Sequence, residues 1–68
     1  MKLVVDLAGK RAEELYLSTY GARMQLDNAL RTHARRGHFI QQADSPPDLD
    51  SHFRVITSKG TIEYWLEP

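Results

Sequence analysis

Arg31, His33, Arg35, Arg36 and His38 form the densest cluster of chemically active side chains in this sequence. Guanidinium groups make bidentate contacts to phosphate and carboxylate, so such a cluster suits an anion. The same residues close a helical pattern, where cations complement the negative end of the helix dipole and face water. Formal net charge is zero, so the molecule as a whole is not drawn to nucleic acid or to an anionic membrane. No helix-turn-helix, zinc-finger or aromatic RNP pattern accompanies the arginines. Other chemistry is thinner. Asp48, Asp50 and His52 are spaced by two, which in an extended segment aims oxygen and imidazole ligands one way. That segment lacks the glycine and closing glutamate of an EF-hand, and it reads as a solvated acidic loop. Ser18, Ser45, Ser51 and Ser58 stand in no nucleophile elbow. There is no glycine-rich phosphate loop, and zero cysteines exclude disulfides and thiolate metal sites. The expectation is a non-enzymatic protein with no cofactor and no metal.

Binding chemistry is better represented. Met24, Asn28, Arg31 and Arg35 recur at helical spacing and fall opposite the apolar stripe of the same segment. Met and Arg are both enriched at interfaces. With Arg36 they make the first candidate surface for a partner. Tyr64 and Trp65 make the second, because these residue types are frequent hot spots. Being adjacent in a strand, they point to opposite faces, so one of the two belongs to the core.

The elements that must position these residues follow from periodicity. Residues 2–7 alternate, with Leu3, Val5 and Leu7 on one face and Lys2, Val4 and Asp6 on the other, as in a strand. Ala8, Gly9, Lys10 and Arg11 read as a turn. Residues 12–20 admit two readings. As helix they place Ser18 and Thr19 on the buried side, with Leu17, Tyr20 and Met24 opposite. As strand over 13–17 they put Leu15 and Leu17 inward and Tyr16 outward, and pair with residues 2–7 in a hairpin. The strand reading is preferred, since it leaves Ser18 or Thr19 to cap a helix and puts Gly21 near its start, where it costs least. The helix then spans 21–36. Its core stripe is Ala22, Leu26, Ala29, Leu30 and His33, the last a buried neutral imidazole. Asp27 and Arg31 form an i,i+4 pair, and Gly37 ends the helix.

Residues 38–42 form a short strand, with Phe39 and Gln41 on one side and Ile40 on the other. An acidic, proline-containing loop occupies 43–51. Residues 52–67 give the clearest hairpin. Phe53, Val55 and Thr57 alternate with Arg54, Ile56 and Ser58, and Ile62, Tyr64 and Leu66 alternate with Thr61, Glu63 and Trp65. Ser58, Lys59 and Gly60 fit a type I turn followed by a G1 bulge.

The sum is one domain over residues 1–68, of α+β class. It is a two-layer fold with an antiparallel β-sheet in ββαβββ order and one helix packed on one face. A 41% hydrophobic and 26% charged composition suits a globular chain and not a disordered one. One helix cannot cover five strands, so Val4, Tyr16, Arg54, Ile56 and Trp65 are candidates for the uncovered sheet face. The opening run is too short and too polar for a signal peptide or a membrane span, which points to the cytoplasm and away from membranes. In size and plan the chain resembles phage- or mobile-element-encoded inhibitors, anti-CRISPR proteins among them, and small antitoxins. That resemblance implies a protein-binding inhibitor or regulator that occludes a surface on a larger protein or nucleoprotein complex. The alternatives are a nucleic-acid-binding module using the arginine cluster, and a homo-oligomeric, for instance dimeric, regulatory unit.

Overall fold

Among the described residues a hairpin precedes a single helix and three strands follow it. A computed structural model describes residues 1–43 and 50–68. It contains β1 (Lys2–Leu7), β2 (Lys10–Leu15), α1 (Thr19–Arg35), β3 (Phe39–Gln42), β4 (Asp50–Thr57) and β5 (Gly60–Glu67). The five strands form one antiparallel sheet in the order β2-β1-β5-β4-β3. The expected α+β architecture, in ββαβββ order with one helix on one face, is what forms. Connectivity gives α1 its position. It leaves from β2 at one edge of the sheet and delivers the chain to β3 at the other, so it must cross the face between them.

Local chemistry fixes the corners. Leu7 pairs with Lys10, which leaves Ala8 and Gly9 as a two-residue loop with both φ values positive, 51° and 85°. That is a type I′ geometry, the turn whose twist matches the strands it joins. Gly accepts it freely, whereas Ala8 carries a Cβ penalty. Asp6 Oδ1 accepts the Gly9 N–H at 3.0 Å and ties the loop down. Ser18 is the helix N-cap, its Oγ accepting the Gly21 N–H at 3.1 Å. At the other end Gly37 takes φ 79°. The Gly37 N–H reaches Ala34 O at 3.0 Å and the His38 N–H reaches His33 O at 3.0 Å. These are the two bonds of a Schellman motif. At the last hairpin Thr57 pairs directly with Gly60 and Ile56 with Thr61, so Ser58 and Lys59 make a two-residue loop without the expected bulge, and Gly60 takes φ 131°, well beyond the αL value expected for it.

The core lies between α1 and the sheet. Leu3, Ala22, Leu26, Val55, Tyr64 and Leu66 are its buried members, with Val5, Ala29, Leu30, Ile40, Phe53 and Ile62 packed around them. Leu66 comes from β5, the central strand, and is fully covered, as is Val55 from the neighbouring β4. The helix stripe expected to face the sheet does so, and strand alternation in β1, β4 and β5 is as read.

The second strand is different. It spans Lys10–Leu15 and not 13–17, and every residue in it is exposed. Leu15 pairs with Lys2, so it shares the face away from the helix. Leu17 lies beyond the strand and is fully exposed. Both were expected inward. Tyr16, expected outward, packs against the helix-side core. The reason is register: a two-residue turn begins the strand at Lys10, and a shift of the strand changes which residues face inward. An edge strand carrying Lys10, Arg11, Glu13 and Glu14 also discourages pairing with other chains. The sheet resumes at Asp50, within the span read as loop. Residues 44–49 lie outside the described residues, and Asp48 with them.

Candidate functional site

A 17-residue helix that buries one stripe must expose the other. Tyr20, Met24, Asn28, Arg31 and Arg35 advance in steps of three and four, so they lie along one line, whereas Leu17 precedes the extended Ser18 cap and lies outside the helix. All five are exposed. The line is apolar at its N-terminal half, with Met24 46% and Tyr20 74% exposed, and basic at its C-terminal half. Arg31 is steered by Asp27, its Nε 2.9 Å from Oδ2, an exposed pair worth about 0.3–0.5 kcal/mol. Arg35 and Arg36 make no ion pair among the described residues. Between Thr19 and the Arg36 cap stand four arginines against one aspartate. This segment therefore carries three positive charges in a chain of zero net charge, and the remainder is acidic by the same amount.

The structure thus brings Met24, Asn28, Arg31 and Arg35 together as one surface, with Arg36 at its end. It separates the other two expected contacts. Tyr64 is 8% exposed and belongs to the core, so it is withdrawn from any partner surface. The alternation that puts Leu66 against α1 puts Tyr64 there too. Trp65 points to the opposite face and is half-buried. Its Nε1 donates to Glu67 Oε1 at 2.9 Å, and the Arg11 guanidinium lies 5.6 Å from its ring centroid, within cation–π range. Arg11 also holds Glu67 and Glu13, each at 2.9 Å. The Trp65 hydrogen bond first, then the Arg11 and Lys2 charges, hold the Glu67 carboxyl below its ordinary value.

This network explains Val4. It is 0% exposed yet faces away from the helix, flanked in register by Glu13 and Trp65. The uncovered face of the sheet is therefore a second, small packed layer at its β1–β5 end. His52 joins it, with its ring centroid 5.4 Å from that of Trp65 and its Nε2 3.3 Å from Glu63 Oε1. Arg54 meets the same carboxylate at 3.3 Å. At the other end, Phe39 and Ile56 are cross-strand neighbours and remain exposed. Among the described residues no three His, Asp or Glu side chains gather as a metal-ligating group.

The basic cluster read from the sequence divides. Arg31, Arg35 and Arg36 stay outside, while His33 and His38 turn towards the sheet. The Schellman motif folds residue 38 back over residue 33, and their Nδ1 atoms come within 2.9 Å. Their ring centroids are 5.2 Å apart, longer than the N···N distance by about the two ring radii. The lone-pair axes are therefore close to collinear, the geometry of one shared N–H···N bond. His33 Nε2 lies 2.8 Å from the Tyr64 hydroxyl. Burial first, then His38 and the Arg36 guanidinium, push the His33 imidazole below its ordinary 6.5. Burial pushes the Tyr64 phenol up.

Sequence reasoning missed Tyr20 as part of the helix surface, and it missed the Tyr64–His33–His38 chain. The first was within reach, because residues 20 and 24 already lay together on the wheel. The second needed the strand-to-helix docking. Comparison of the chain with protein-family models, with curated proteins and with solved structures gives no match. No described helix is long and apolar enough to cross a membrane.

Proposed function

We propose that this chain is a small non-enzymatic protein-binding module, an inhibitor or regulator acting in the cytoplasm by occluding a partner's surface with the outer face of α1. One observation carries the reading: the exposed line on α1 from Tyr20 through Met24 to Arg35, apolar at one end and basic at the other. Such a line suits a partner groove with an apolar floor and an acidic rim, as in helix-in-groove recognition. The apolar half supplies affinity and the arginines supply steering and register. The exposed positions tolerate substitution, since none packs in the core.

The test begins with affinity capture from the native host and purification of the captured partner. Binding of the parent chain is then compared with Met24→Glu and with the double variant Arg31→Glu, Arg35→Glu. Each is expected to keep the parent circular dichroism and to lose at least about tenfold in affinity, equivalent to about 1.4 kcal/mol. Affinity unchanged in both would remove the helix face from the interface.

A second reading is nucleic-acid binding through Arg31, Arg35 and Arg36, favoured by the lack of an acidic partner for Arg35 and Arg36 among the described residues. Three phosphate contacts would give a slope of about −2.7 in log affinity against log salt for duplex DNA. A gel-shift titration with no complex at low salt disposes of it.

A further inference from the structure

The end of the molecule where α1 stops holds an opening of which the readings above use only Arg36. The last turn of α1, the β4–β5 turn and the ends of β1 and β5 meet there around a cleft of about 320 Å³. Leu7 and Ile62, cross-strand neighbours, form its apolar part. His33, His38, Arg36 and Lys59 supply its polar rim, and no carboxylate lines it. Neither Arg36 nor Lys59 makes an ion pair among the described residues.

The buried tyrosine decides which hydrogen the rim presents. Tyr64 has one hydroxyl proton, and among the described residues His33 Nε2 is its partner. With the phenol as donor, His33 Nε2 is the acceptor and the neutral His33 ring carries its proton on Nδ1. That N–H donates to His38 Nδ1, which must then be unprotonated. The His38 proton therefore sits on Nε2, the one nitrogen of the pair without a protein partner among the described residues. A hydroxyl in the core thus fixes an N–H donor at the cleft. The reversed chain, from His38 Nδ1–H to His33 Nδ1 and from His33 Nε2–H to the Tyr64 oxygen, would leave the Tyr64 O–H without an acceptor among the described residues, so the tautomers are assigned from that one proton.

We infer that this cleft binds the anionic head of a small amphipathic molecule, a carboxylate or phosphate monoester carried on an apolar body. Arg36 and Lys59 neutralise the head, His38 Nε2–H donates to it, and Leu7 and Ile62 cover the adjoining carbon. The volume suits a ligand of that size. The C-terminal end of a helix opposes an anion. Here, however, the carbonyls of Thr32, His33 and Ala34 already accept from the N–H groups of Arg36, Gly37 and His38, so little negative potential is left to repel it. This site does not depend on the helix-face reading.

The experiment is an amide and imidazole NMR titration of the full chain with phenyl phosphate, benzoate and inorganic phosphate. Saturable shifts are expected at Leu7, His38 and Lys59, with phenyl phosphate or benzoate binding more tightly than inorganic phosphate. Imidazole nitrogen shifts should report the Nε2–H tautomer for His38. Lys59→Gln and Arg36→Gln should each weaken binding about tenfold, the loss of one charge-assisted contact. Three results overturn the assignment: no saturable shift with any probe, shifts that survive both substitutions, or equal affinity for inorganic phosphate and phenyl phosphate.

Discussion

Replacing Tyr64 by Phe isolates a single hydroxyl at the join of core, helix and histidine pair. The ring stays, and with it the burial that leaves Tyr64 8% exposed. What goes is the hydrogen bond to His33 Nε2 at 2.8 Å. A neutral hydrogen bond contributes about 0.5–1.5 kcal/mol net, and a buried group left unpaired costs about 1–3 kcal/mol. His33 is only half-buried, so water can partly replace the lost partner and the lower end of that penalty applies. The expected loss is about 1–2 kcal/mol. In a domain of this size each kcal/mol moves Tm by about 4–8 °C. Tyr64→Ala, which also deletes the ring, should cost about 3–5 kcal/mol. Urea unfolding near neutral pH measures both. Imidazole NMR adds a readout that packing does not move: without the hydroxyl, His33 Nε2 need not be an acceptor, and the fixed His38 tautomer should relax to a mixture. A Tyr64→Phe variant as stable as the parent, with an unchanged His38 tautomer, would refute the coupling.

Stability should also fall in mild acid. Burial, His38 and Arg36 hold the folded-state His33 pKa below 6.5, so as pH drops the unfolded chain takes up that proton first. Stability is therefore full above about 6.5 and declines from there towards the folded-state value. Urea melts across that window should show a slope that His33→Phe removes. Trp65→Ala should cost about 2–3 kcal/mol, below the full core value because the ring is half-buried, and should open Val4 to water; thermal melts check this, and an unchanged Tm would mean that the second layer is not packed. Ala8→Asn should stabilise by about 0.5–1 kcal/mol, since Asn tolerates positive φ better than Ala; a loss of stability in the same melt would count against the type I′ assignment.

The sequence by itself determined what depends on near neighbours. Strand alternation in β1, β4 and β5, the buried stripe of α1, its serine cap and its glycine stop are all set by residues within a few positions of one another. So was the exposure of Met24, Asn28, Arg31 and Arg35, because a helix with one apolar stripe has only one other face. Tertiary structure decided what depends on partners distant in the chain. The register of β2 against β1 sent Leu15 outward and Tyr16 inward, and no pattern within residues 10–17 specifies that choice. The docking of α1 on β5 chose Tyr64 over Trp65 for the core, and it brought residue 64 to His33, thirty-one positions away. Alternation requires the two aromatics to part, but only packing says which of them meets the helix. The basic cluster shows both halves. Its arginines behave as the sequence indicates, while its histidines gain their chemistry from a Schellman turn and a buried hydroxyl that are adjacent only in space.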